Sequence, residues 1–161
     1  MTNYIDNMAD DDRRKGEEME RQTDESSRIQ ATKHIWIQEL MTTVQRHADY
    51  ANQQFYNGGK AFEVRTDVGL FDDKPRDFVV MTADYPAAYL YVYVDSGNSA
   101  LTRRLATKRD DNSSRREQNL PPLQISMDGH NPVFHDNGQT LDFEGVARFL
   151  IEPVIRAHRE A

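Results

Sequence analysis

Residues 87–95 read Ala-Ala-Tyr-Leu-Tyr-Val-Tyr-Val-Asp. In an extended chain alternate side chains leave opposite faces, so Tyr89, Tyr91 and Tyr93 share one face and Leu90, Val92 and Val94 the other. A strand apolar on both sides belongs at the centre of a sheet, not at its margin. The run before it has the same character, with Phe78 and Val80 on one face and Val79, Met81 and Ala83 on the other. Tyr85 and Pro86 separate the two runs, and Ser96, Gly97, Asn98 and Ser99 end the second in a turn. Connections this short favour antiparallel neighbours, because a parallel pair needs a crossover of roughly a dozen residues or more.

Upstream, Phe62, Val64 and Thr66 alternate with Glu63, Arg65 and Asp67, the pattern of a strand with one wet face, and Asp72, Asp73, Lys74 and Pro75 predict a turn. Downstream, residues 100–109 (ALTRRLATKR) predict a fourth strand. Asp110 to Asn119 is wholly polar or charged and predicts a mobile surface loop, stiffened at its exit by Pro121 and Pro122. Leu123, Ile125 and Met127 alternate with Gln124 and Ser126 in a fifth strand, and residues 132–135 (PVFH) predict a short sixth between turns at 128–131 and 136–138.

The cover for this sheet lies at both ends of the sequence. Ile29, Trp36, Leu40, Val44, Ala48, Ala51 and Phe55 recur at helical spacing through a stretch without Gly or Pro, and Asn57, Gly58 and Gly59 supply the stop. Some 30 residues at about 1.5 Å each make a rod of roughly 45 Å, longer than the ~17–20 Å of an ordinary strand, so one end is expected to project. Asp142 is a good N-cap for a second helix, with Leu141 and Val146 placed as a hydrophobic staple and Phe143, Val146, Phe149, Leu150 and Val154 as its buried stripe. Pro153 is expected to kink or restart that helix. The fold class that follows is α+β: a long N-terminal helix and a C-terminal helix packed on an antiparallel meander of five to six strands.

Charge is distributed unevenly along the chain. The formal net charge is -7, yet residues 1–28 hold 9 acidic and 5 basic side chains, leaving the other 133 residues close to balance. Residues 1–22 therefore read as a charged, disordered tail and 23–161 as one α+β domain. No apolar run is long enough to span a bilayer, and the acidic start MTNYIDNMADDD lacks the basic and apolar regions of a secretory signal. The absence of cysteine removes disulfides and thiolate chemistry and suits a cytoplasmic location. No cofactor is expected, no membrane partner, and the net charge disfavours nucleic acid. The order of elements and the acidic balance are similar to those of small secretion-chaperone-like domains, an architectural likeness that no residue motif carries.

Two features invite a functional reading. If both helices cover one face of the sheet, Tyr89, Tyr91 and Tyr93 lie on the other, where tyrosine offers large contact area at low entropy cost, although it is also a good strand former that packs its ring and wets its hydroxyl. Between residues 101 and 119 six basic side chains face three acidic ones. Adjacent strand residues point apart, so Arg103 and Arg104 cannot reach one ligand, whereas Arg104 and Lys108 share a face. The remainder reads as a solvated loop, with the acidic tail or a phosphate-bearing partner as the alternatives.

Other chemistry is poorly supported. His130 and His135 flank a short hairpin near Asp128 and Asp136, the one conceivable metal site, with solvated turn residues as the simpler explanation. His34 and His47 are about 20 Å apart at helical rise, and His158 suits the C-terminal end of a helix dipole. No nucleophile elbow occurs, and Asn57-Gly58-Gly59-Lys60 lacks P-loop spacing. The expected function is therefore a non-enzymatic interaction module that binds a protein partner or itself as a homodimer, through Tyr89, Tyr91, Tyr93, Arg104 and Lys108 or through the long helix. The alternatives are a small-ligand or enzymatic domain with a pocket between sheet and helix, and a weak nucleic-acid binder using the basic strand and loop 103–116.

Overall fold

A computed structural model describes residues 3–66 and 75–160. Helix α1 (Asn3–Tyr56) leads into strands β1 (Glu63–Arg65), β2 (Phe78–Thr82), β3 (Ala87–Asp95), β4 (Ala100–Lys108), β5 (Arg116–Asp128), β6 (Asn131–Asp136) and β7 (Gln139–Leu141), and helix α2 (Phe143–Arg159) closes the chain. The fold is α+β, as the residue pattern implies, and the strands form one antiparallel meander in the order β1 to β7. Seven strands stand where five to six are expected. The extra one is β7, a three-residue strand whose partner residues are Phe134, His135 and Asp136.

The core lies between one face of the sheet and both helices. Leu40 and Val44 of α1, Val146, Leu150 and Val154 of α2, and the inward residues Phe78, Val80, Leu90, Val92, Leu101 and Leu123 belong to a single buried cluster. The tyrosine face carries its own smaller buried cluster, Val79, Met81, Tyr91 and Ala106, to which neither helix contributes. Register explains the grouping, since Tyr91 lies opposite both Val79 and Arg104, and Tyr89 opposite Met81 and Ala106.

The start of α1 departs from the sequence reading. The helix begins at Asn3, not near residue 23. Residues 3–28 include one glycine, Gly16, and no proline. They are laced by ion pairs of helical spacing, Arg13 with Asp10, Arg14 with Asp11, Arg21 with Glu18 and Arg28 with Asp24. Among the described side chains none before Ile29 is buried, so the change of composition near residue 22 marks where packing begins. At its other end α1 stops as expected, with Asn57 and Gly58 at φ values of 52° and 88°. Buried Asn52 then clamps the exit, its side chain accepting from the N–H of Phe62 at 2.8 Å and donating to its carbonyl at 2.9 Å.

Proline bears on two further places, and one residue serves both. Strand β5 begins at Arg116, so the predicted loop shortens to residues 109–115 and the strand runs through Pro121 and Pro122. It does so at an irregularity of register opposite Leu101 and Arg103. Helix α2 likewise continues through Pro153, which has no N–H to offer the carbonyl of Phe149 four residues back. Arg103, 8% exposed, donates to that carbonyl at 3.1 Å through Nη1, and to the carbonyl of Pro121 through Nε and Nη2 at 3.2 and 2.9 Å. Its guanidinium also stacks on the Phe149 ring, 3.4 Å from the centroid. Burial lowers its pKa to about 10, which still leaves it a full set of donors at neutral pH. The turn residues Asp72, Asp73 and Lys74 lie outside the described residues.

Candidate functional site

The three tyrosines share a face yet meet different surroundings. Tyr91 is 3% exposed. The Arg104 guanidinium lies 4.4 Å from its ring centroid, and Arg115 donates to its hydroxyl at 3.0 Å. Glu117 binds both guanidinium groups, at 3.1 Å from Arg104 and 2.8 Å from Arg115. Strand pairing produces this group, because Arg104 and Glu117 stand on neighbouring strands two registers from facing one another, with Arg104 opposite Tyr91. Tyr93 is half-buried, with the Lys33 ammonium 5.9 Å from its centroid, and Lys33 itself is paired to Asp77 at 3.0 Å. Tyr89 is half-buried, and its hydroxyl is pushed above the usual tyrosine value by burial and then by Tyr91, against an opposing effect of Arg115.

Tyr89 opens onto a cavity of about 280 Å³ at the end of the sheet, which Tyr85, Tyr91, Lys108, Ser113 and Arg115 also line. A second cavity, of about 520 Å³, adjoins it and is lined by Pro86, Lys108, Arg109, Ser113, Ser114 and Arg116. Lys108 and Ser113 belong to both. The connection between β4 and β5 is a built turn: Asp110 Oδ1 accepts from the N–H of Asn112 at 2.9 Å and from the Ser113 hydroxyl at 2.8 Å. The Ser113 hydroxyl, with the two backbone N–H groups of the turn, holds the Asp110 carboxyl below its ordinary value. Of the predicted pair, Arg104 is thus inside the tyrosine cluster and Lys108 at the cavity mouth.

The histidines do other work. His130 is exposed in a turn and His135 closes the opposite end of β6, where its Nε2 lies 2.7 Å from the Ser126 hydroxyl. The structure keeps these two apart, and no group of three or more potential metal ligands occurs among the described residues. His158 stands in the last turn of α2, where a helix-dipole partner is expected, and there it also joins three elements. Its Nδ1 is 2.8 Å from the Pro86 carbonyl, which can only accept, its Nε2 meets the Tyr56 hydroxyl, and its ring packs edge-on against Phe62 at 5.5 Å. His47 and Arg46 both bind Glu144 at 2.6 Å, and those two hydrogen bonds, His47 first, hold the Glu144 carboxyl below its usual value.

A groove between sheet and helix does exist, about 590 Å³ in volume along β4, β5 and α2, with Arg103, Leu105, Leu120, Pro153 and Ala157 on its walls. His130, His135 and Arg104 do not line it. No helix among the described residues is long and apolar enough to cross a membrane.

Most of the exposed large apolar side chains among the described residues belong to α1. Tyr4, Ile5, Met8 and Met19 are 55–68% exposed. At 100° per residue they fall on the same side of the helix as Ile37, Leu40 and Val44, so the stripe that faces the sheet continues beyond it. No family model matches the chain, and neither do the curated proteins or the solved structures.

Proposed function

We propose that the protein is a non-enzymatic interaction module that self-associates through the projecting part of α1, two copies pairing antiparallel. The supporting observation is that residues 3–28 are helical without burying a described side chain, although helices in water owe most of their stability to packing. Ile5, Met8, Asp12, Lys15 and Met19 follow one another at spacings of three and four, the seam of a two-stranded coil. That seam is self-complementary in one orientation. With a two-fold axis between Arg13 and Arg14, Met8 meets the second copy's Met19, and Asp12 meets its Lys15. A parallel pair would set Asp12 against Asp12 and Lys15 against Lys15, a like-charge clash that selects against it.

The tyrosine face is the weaker candidate for this role, because Tyr91 already has its partners within the chain. A cytoplasmic setting fits the absence of cysteine. The test is molar mass by light scattering. The unaltered chain should weigh as a dimer, Asp12→Lys as a monomer, and Asp12→Lys combined with Lys15→Asp as a dimer again, since the exchange restores the pair in the second copy. A monomer throughout, or a dimer indifferent to the charge reversal, rejects the reading.

A further inference from the structure

The opposite end of the molecule carries an arrangement that self-association leaves unused. Lys108 at the end of β4, Arg109 in the following turn and Arg116 at the start of β5 line one cavity of about 520 Å³. None of the three forms an ion pair among the described residues, whereas their neighbours Arg104 and Arg115 share Glu117. Three such cations around one concavity raise the local potential and call for an anion. The nearby carboxylates form no salt bridge with the three among the described residues, although Arg109 favours the charged form of Asp110, and Glu117 and Glu160 share the neighbouring groove with Arg116. Asp110 is turned into its own loop, accepting from Asn112 and Ser113, and Asp111 acts on the Tyr85 hydroxyl, pushing it above the usual tyrosine value. Thr107, Ser113 and Ser114 add hydroxyls to the same wall.

The adjoining cavity differs in chemistry. Tyr85, 47% exposed, and Tyr89 present aromatic rings there, and Lys108 and Ser113 are common to both spaces. A bare anion would use the cations and leave the rings idle. An aromatic ligand without charge would do the reverse. We infer that the site takes a nucleotide, its phosphate among Lys108, Arg109 and Arg116 and its base against Tyr85 and Tyr89. Guanidinium and ammonium groups suit phosphate oxygens, and any base stacks on a tyrosine ring. The source of that chemistry is either a free nucleotide or a single strand.

Calorimetric titration of the full chain with AMP, pyrophosphate and a single-stranded hexadeoxyadenylate distinguishes the cases. AMP should bind, with affinity lowered about ten-fold or more by Arg116→Glu and by the exposed variant Arg109→Glu, both checked for unchanged thermal unfolding. Tyr85→Ala should weaken AMP by about five-fold or more and leave pyrophosphate unaffected. A hexanucleotide that binds at least ten-fold tighter than AMP, with a steep salt dependence, supports a strand as the source; comparable affinities support the free nucleotide. Absence of AMP binding overturns the inference. So does AMP binding indifferent to both charge reversals, or pyrophosphate binding as tight as AMP with Tyr85→Ala silent, which would leave only an anion patch.

Discussion

Arg103 shows how one buried cation can hold together elements that proline would otherwise weaken. A carbonyl that loses its donor costs about 1–3 kcal/mol where it is cut off from water, and this guanidinium serves the carbonyls of half-buried Phe149 and exposed Pro121 and also stacks on the Phe149 ring. Arg103→Ala should therefore destabilise the fold by about 3 kcal/mol in chemical denaturation. In a Pro153→Ala background the backbone N–H gained at that position can donate to the Phe149 carbonyl, and the cost of removing Arg103 should fall by about 1 kcal/mol. A double-mutant cycle with no coupling would separate the arginine from the proline. The sequence already places Arg103 and Arg104 on opposite faces, and alternation alone suffices for that. What alternation cannot reveal is that Arg103 faces the core, since a residue two positions from a core leucine is ordinarily apolar. The signal is present in another form: a proline well inside a helical stripe requires a donor from elsewhere, and Arg103 is a cation on a strand that faces that helix.

At the scale of elements, legibility follows the strength of local punctuation. Strands β3 and β4, the end of α1 and the start of α2 are all readable, because Gly, Asn, Asp and alternation mark them; Asp142 accepts from the Gly145 N–H at 2.8 Å as an N-cap should. Strand β5 starts earlier than its pattern implies because its first residues are polar and its prolines argue against a ladder, an argument defeated by the register irregularity and by Arg103. The start of α1 is hidden for a different reason. Composition reports whether a segment can bury surface, and residues 3–28 bury little, yet ion pairs of helical spacing and the helix already formed downstream favour continuation. Packing and helicity are thus separable in α1. Removal of residues 1–22 should abolish the dimer mass while shifting the unfolding free energy of the remaining monomer by less than about 1 kcal/mol, as denaturant titration would read it. A large loss of stability would show that the projecting segment contributes to the core after all.

On the whole molecule, the two proposed surfaces lie at opposite ends of one hairpin. Ala87 pairs with Lys108 at one end of β3 and β4, and Asp95 with Ala100 at the other. Eight steps of about 3.3 Å separate these ends by roughly 26 Å. The second end faces α1: the Ser96 hydroxyl bonds Gln30 at 3.0 Å, and Glu18 and Glu25 share a cavity with Gly97, Asn98 and Ser99. The acidic segment therefore runs past the 96–99 turn and does not lie on the basic stretch of its own chain, although the two carry opposite charge. At that distance, well beyond a Debye length of about 8 Å at physiological salt, neither surface should sense the charge of the other. The central pair of nine-residue strands gives no bistable element through which they could communicate. Asp12→Lys should accordingly leave the affinity for AMP within about two-fold of the unaltered chain, and Arg116→Glu should leave the dimer mass unchanged. If breaking the helical pair also weakens the nucleotide, the site draws on the second copy, and the acidic helix of one molecule would then be acting on the cationic cavity of its neighbour.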